Sequence, residues 1–186
     1  MKTKGFCIII LMILIPVTLY SQDSTFGNFN NSFGLKASNI SGYGFYYNRK
    51  LNDDYKIQAM GLIYYLFSDN NNEKHTNFNY DIGLEIQRNI FYTTNTRVYI
   101  LAGGFYYFDD DLVENPTNKT KMVNHSFNFG VGIAGEYYYY RFVLSIDLGY
   151  KFFEDRIVIT ENDNYSHPEL YRVTKIGGGI GIGFMF

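Results

Sequence analysis

Residues 141–153 alternate without a break. Phe142, Leu144, Ile146, Leu148, Tyr150 and Phe152 fall in one phase, and Arg141, Val143, Ser145, Asp147, Gly149 and Lys151 in the other. A period of two places successive side chains on opposite faces of a strand, and no helical period reproduces it. Over 77–91, Phe78, Tyr80, Ile82, Leu84 and Ile86 oppose Asn77, Asn79, Asp81, Gly83, Glu85 and Gln87. Over 124–138, Phe127, Phe129, Val131 and Ile133 oppose Ser126, Asn128, Gly130, Gly132 and Ala134.

Five further segments carry the pattern less cleanly, at 32–38, 41–51, 55–67, 97–108 and 173–186. Eight strands result, most of them about 11–15 residues long. A globular strand averages about 5 or 6 residues, whereas a tilted membrane-crossing strand needs about 9–11. The connections alternate in length as well. Those at 52–54, 93–96 and Tyr139-Tyr140 are short, while 68–76, 109–123 and 154–172 read as long polar loops. Short turns at one end, long loops at the other and an even strand count are the pattern of a transmembrane barrel with both termini in the periplasm. The first connection, near Asn39-Ile40, breaks the rule by being short.

Lipid offers the backbone no hydrogen bonds, so a sheet inside it must close on itself. The apolar phase then meets hydrocarbon and the polar phase lines the lumen. Lys56, Asp81, Glu85, Glu136, Arg141, Asp147, Lys151 and Lys175 fall in the inward phase and carry both signs of charge. Pairing among them limits the cost of their burial. Eight strands enclose an interior that side chains fill, so no large pore is expected. Tyr64-Tyr65, 105–108 and 137–140 supply aromatic girdles near the strand ends. The competing fold is a soluble sandwich or barrel with its aromatic face inside, which the long strands and unequal connections oppose.

Residues 1–21 read as a secretory signal peptide: Lys2 and Lys4, then an apolar run from Phe6 to Leu19, then Ser21. The mature barrel domain is then 22–186. The one cysteine, Cys7, falls at the start of the leader's apolar run, so disulfides play no part in the mature chain. Removing Lys2 and Lys4 from 16 basic residues leaves 14 against 18 acidic, a net charge of −4. That excludes a broadly basic nucleic-acid binder.

The chain ends Ile180-Gly181-Ile182-Gly183-Phe184-Met185-Phe186, alternating and finishing on phenylalanine. This ending resembles the C-terminal signal of outer-membrane proteins, and with the leader and eight strands the chain resembles the small bacterial outer-membrane β-barrel family (the OmpA/OmpX-like eight-stranded transmembrane type). The resemblance covers about 30–186. It implies an all-β, up-and-down transmembrane barrel in the bacterial outer membrane. It implies contact with outer-membrane lipid and lipopolysaccharide, and recognition of Phe184 and Phe186 by the barrel-assembly machinery. The function it suggests is a structural or adhesion-type barrel presenting external loops to an unidentified ligand. A lipid-modifying enzyme and a component of a secretion or transport assembly are the alternatives.

No catalytic set, cofactor or metal is expected. The glycines at 177–183 suggest a phosphate loop only superficially, because such a loop must open a helix and here the strand pattern continues to the end. Some small barrels are lipid hydrolases with His, Ser and Glu. Here His125 and Ser126, with Glu136 further on, are adjacent and so point to opposite faces. His75, His125 and His167 fall in or beside external loops. Asp109, Asp110, Asp111 and Glu114 could attract a hard cation but lack EF-hand spacing, and a hydrated loop explains them as well.

Overall fold

The computed structural model describes residues 29–70, 73–162, 164–165 and 168–186. The leader expected over 1–21, with Cys7, lies outside them, as does His167. Alternation becomes strand throughout: β1 (Asn31–Ser38), β2 (Gly42–Lys50), β3 (Tyr55–Asn70), β4 (Glu73–Tyr92), β5 (Thr96–Glu114), β6 (Lys119–Tyr139), β7 (Phe142–Glu161), a two-residue β8 (Asn164–Tyr165) and β9 (Glu169–Met185). Each neighbouring pair is antiparallel, and β9 pairs with both β7 and β1, so eight strands close into an up-and-down ring.

The register fixes the barrel's dimensions. Following paired residues from Leu35 through Phe45, Gly61, Ile82, Tyr106, Phe127 and Glu154 leads to Arg172 on β9. The residue of β9 that pairs with Leu35 is Ile182, ten positions further on. A stagger of ten over eight strands, at ordinary strand spacing, tilts the strands by about 40° and sets a backbone radius of about 8 Å. Side chains fill a cylinder of that radius.

The outer surface is an apolar belt. Ile82, Leu84, Ile86, Ile133, Ile146, Leu148, Ile176, Ile180 and Ile182 all point outward and are exposed, Ile176 by 70%. The buried positions are largely polar, including Lys36, Gln58, Glu85, Gln87, Arg97, Glu136 and Asp147. Inside and outside are reversed relative to a soluble protein, which excludes the soluble sandwich, since such a belt in water would be an enormous exposed apolar patch.

Three long loops were expected at 68–76, 109–123 and 154–172, and the structure corrects this. β3 runs on to Asn70 and β4 begins at Glu73; β5 runs to Glu114 and β6 begins at Lys119; β7 runs to Glu161 and β9 begins at Glu169. The loops are mostly continuations of the strands as paired hairpins. A hydrophilic strand in water shows no apolar period, yet cross-strand polar pairs support it. Asn77 Nδ2 donates to Asp109 Oδ1 at 2.8 Å, and Lys121 lies 3.0 Å from Asp110. At about 2.5 Å of height per tilted residue, β6 and β7, with 21 and 20 residues, reach about 50 Å, twice the roughly 25 Å apolar band of such barrels.

The β1–β2 connection departs in the opposite direction. β1 ends at Ser38, and residues 39–41 fold into the lumen instead of projecting from it. Ile40 is buried in a cluster with Tyr99, Leu101 and Ala134. The Ser38 hydroxyl accepts the N–H groups of Ile40 (3.1 Å) and Ser41 (3.0 Å) and donates to Asp147 Oδ1 at 2.7 Å. Opposite stands Gly130, where a Cβ would lie 2.4 Å from the Ile40 carbonyl oxygen, so only glycine leaves room for the turn. Gly42 completes it at φ +92°, a left-handed conformation that suits glycine.

Candidate functional site

Below the inward turn the lumen is closed by charge. Arg97 lies fully buried at the start of β5, with its Nη1 3.0 Å from Glu136 Oε2 on β6. Lys56 on β3 approaches the same carboxylate at 3.5 Å, and the Tyr138 hydroxyl donates to it. Arg97 Nη1 also donates to Gln87 Oε1 at 2.7 Å, and Gln87 Nε2 donates to Glu85 Oε1 at 2.7 Å. From there the network continues to Lys36 on β1, whose Nζ stands 3.8 Å from Glu85 and 3.1 Å from Asp147 on β7. Three cations and three carboxylates thus meet in one connected, neutral cluster. Strand alternation delivers each of them inward. Stacking of the Arg97 guanidinium 3.9 Å above the Tyr99 ring covers the space toward Ile40.

Above the turn the lumen widens into a cavity of about 310 Å³. Its floor is the turn itself, from Ser38 to Tyr43. Its walls are Asp81, Phe105 and Tyr107, then Asn124, Ser126 and Asn128, then Lys151 and Asp155, on β4 to β7. Tyr43 N–H donates to Asp81 Oδ2 at 3.2 Å. Asp81 Oδ1 and Asn124 Oδ1 are buried without a hydrogen-bond partner among the described residues.

The wall has a gap at this level. β2 pairs with β3 only as far as Gly61, and β1 pairs with β9 only from Gly179 onward. Residues 62–70 of β3 and 169–177 of β9 therefore have ladder partners on one side only, β4 and β7 respectively. Between these edges lie the positions that β1 and β2 occupy lower in the barrel.

The positions expected inside divide between these regions. Lys56, Glu85, Glu136 and Asp147 join the closed cluster, Asp81 and Lys151 line the cavity, and Lys175 lies on the upper, exposed part of β9 with its ammonium 5.2 Å from the Phe153 ring. Arg141 is not among them. It stands at the β6–β7 turn, its guanidinium 5.3 Å from the Phe29 ring and 5.9 Å from that of Phe184. Phe184 packs edge-on against Phe142 on the outer surface, and the Phe186 backbone pairs with Asn31.

Sequence reasoning missed Lys36, Tyr138 and Arg97 as lumen residues, and placed Gln87 in the inward phase without its partners. Lys36 carried a readable signal, since it falls in phase between the outward Leu35 and Ala37. Arg97 was hidden as a turn residue, and a bulge between Asn89 and Phe91 alters the local phase of its partner strand.

His125 faces outward in edge contact with Phe108, its Nδ1 2.6 Å from the Tyr106 hydroxyl, while Ser126 is buried in the lumen. Alternation also splits the acidic run. Asp109 bonds Asn77, Asp110 pairs with Lys121, Asp111 contacts His75, and Glu114 lies 2.9 Å from Lys119. Among the described residues no three metal-ligating side chains converge.

No protein-family model matches the chain, and no curated protein matches its sequence. Among solved structures it is similar to a major outer membrane protein from Thermus thermophilus, with a TM-score of 0.50 at 12% identity, covering 84% of this chain and 99% of that one. The N-terminal β-barrel domain of Pseudomonas aeruginosa OprF aligns at a TM-score of 0.45 and 16% identity, covering 84% of this chain and 96% of that one. The closed ring, the apolar belt and the first of these likenesses define the class: the chain has the outer-membrane β-barrel fold.

Proposed function

We propose that this protein is a poreless, non-enzymatic interaction barrel of the bacterial outer membrane, with its termini in the periplasm and three hairpins presented outside. The observation carrying this reading is the pairing of a closed lower lumen with projecting hairpins. A connected ion cluster blocks solute passage, while the strands continue far beyond the membrane as ordered arms. Ordered arms supply a contact surface at lower entropic cost than long loops. Their outer faces carry Asp110, Lys121, Glu154 and Arg172 in pairs of opposite charge, suited to polar and charged surfaces such as lipopolysaccharide headgroups. Phe184 and Phe186 act as the assembly signal at the other end.

The direct test has two readouts. Folded protein should shift on a gel between unboiled and boiled samples, and should leave a planar bilayer electrically silent. Protease added to intact cells should cut within the hairpin tips and leave the belt untouched. Stable large conductance steps would overturn the poreless reading, and recovery of the protein as a soluble periplasmic species would overturn the location.

A further inference from the structure

The upper border of the apolar belt turns cationic on one side of the barrel. On β6 the outward phase is aromatic, aliphatic or glycine from Tyr137 up to Phe127, and the next position is His125. On β7 it is apolar from Phe142 to Phe152, followed by Glu154 and Arg156. On β9 it runs from Phe184 to Ile176, followed by Thr174 and Arg172. These stretches rise about 20–25 Å at about 2.5 Å of height per tilted residue, the height of the apolar band of such barrels. The first charged groups above them therefore stand at the level of lipid headgroups.

The register gathers these groups. His125 pairs with Arg156, Arg156 with Leu170, and Glu154 with Arg172. Direct cross-strand neighbours stand about 5 Å apart at Cβ and diagonal ones about 7–8 Å, so His125, Arg156 and Arg172 share one patch. Its charge is out of balance. On the outer faces of β5 to β9, Asp110 is held by Lys121 at 3.0 Å, Glu114 by Lys119 at 2.9 Å and Glu154 by Arg172 at 2.7 Å. Arg156 is exposed and makes no ion pair or hydrogen bond among the described residues. Arg172 engages Glu154 through Nε, which leaves the rest of its fork as donors. A Tyr106 hydroxyl donating to His125 Nδ1, 2.6 Å away, leaves the proton of the neutral ring on Nε2. Two guanidinium groups and an imidazole thus meet one carboxylate, in a chain of negative net charge. Guanidinium forks match the oxygens of phosphate. Directly beneath, Phe127 and Phe152 are exposed on the belt.

We infer that this patch binds the terminal phosphate of an anionic outer-leaflet lipid. Arg156 and Arg172 hold the phosphate, His125 adds a donor, and the acyl chains lie over Phe127 and Phe152. This deepens the headgroup contact proposed above and rests on the belt being embedded in lipid.

The chain contains no tryptophan, so a single introduced one reports its own surroundings. The folded full-length barrel carries either Phe152→Trp, beneath the patch, or Tyr65→Trp, exposed on β3 across the ring from β7. It is inserted into phosphatidylcholine vesicles containing a minority of acyl-brominated phosphatidic acid or, in a parallel set, acyl-brominated phosphatidylcholine, whose choline shields the phosphate. Bromine quenches indole on contact. Phe152→Trp should be quenched severalfold more by the phosphatidic acid, and adding Arg156→Gln with Arg172→Gln should remove the excess. Tyr65→Trp should be quenched equally by both lipids. Equal quenching of Phe152→Trp by the two lipids overturns the phosphate site and leaves the membrane reading intact. The same excess at both reporters overturns its placement on this face. An excess that survives both glutamine substitutions overturns the arginines as its holders. An excess lost in millimolar inorganic phosphate, but kept in chloride of equal ionic strength, overturns lipid as the occupant. Absence of quenching at both reporters by either lipid removes the embedding itself. Gel shift on boiling verifies that each variant is folded.

Discussion

Below the β1–β2 turn eight strands close the ring around a neutral, connected set of six charges; above it six strands make an open arc around a cavity. One short hairpin produces both states. Where β1 and β2 are present, every wall strand has two neighbours, water is excluded, and each charge must be matched. Where they stop, β3 and β9 acquire edges, water can reach the lumen, and the demand for pairing relaxes. The closed half must match its charges, and the open half is free of that demand.

Substitutions in the two halves should therefore differ greatly in cost. The largest effect is expected for Glu136→Ala, which removes the carboxylate that Arg97 and Lys56 share in a closed lumen. Removing one member of a buried ion cluster costs about 3–5 kcal/mol, to be read from urea unfolding of the barrel in vesicles. A loss below about 1 kcal/mol would show the lower lumen to be wet, and the contrast between halves would collapse. Next comes Gly130→Ala, whose methyl would collide with the Ile40 carbonyl. Overpacking of this kind costs about 1–3 kcal/mol. It should also loosen the floor between the halves, giving small transient conductance events in a bilayer that is otherwise silent. Asn124→Ala, in the open half, should change stability by no more than about 0.5 kcal/mol, measured the same way. A cost comparable to that of Glu136→Ala would mean that the cavity is as tightly organised as the cluster below.

The smallest effect is expected at a hairpin tip. The hydrogen bond and positive charge of Lys119 hold the Glu114 carboxyl below the usual carboxylate range. A lowered folded value means that the pair is intact above the ordinary carboxylate pKa and is lost as pH falls through the lowered one. Both side chains are well exposed. Glu114→Gln should leave the unfolding midpoint unchanged while abolishing the acid-dependent change in side-chain ammonium signals of Lys119 by nuclear magnetic resonance. A shifted midpoint would show that the arms contribute to barrel stability.

The belt and most of the lumen were legible because period-two alternation is a local property: Ile146 and Asp147 declare their faces by their neighbours alone. The hairpin arms were not legible, since Thr120, Asn77 and Asp109 in water alternate polar with polar and look like loop. The cavity was out of reach for a different reason. The short connection near Asn39-Ile40 stood out as an anomaly. Its consequence depends on how far β3 and β9 run past it, which is a matter of register between strands far apart in the chain. The same holds for Arg97, whose partners Gln87 and Glu136 are set by pairing across two interfaces.

Closure of the ring rests on the pairing of β1 with β9, from Ser32 with Met185 to Ser38 with Gly179. These contacts join opposite ends of the described chain, the most non-local ones a sheet can make, and such contacts form slowly. Until the last strand docks, β1 and β7 are both bare edges, and a sheet with two bare edges recruits other chains. Assembly of the barrel thus passes through an unfinished ribbon with two adhesive edges, and its exposure to other chains ends only when the final glycine-rich strand is in place.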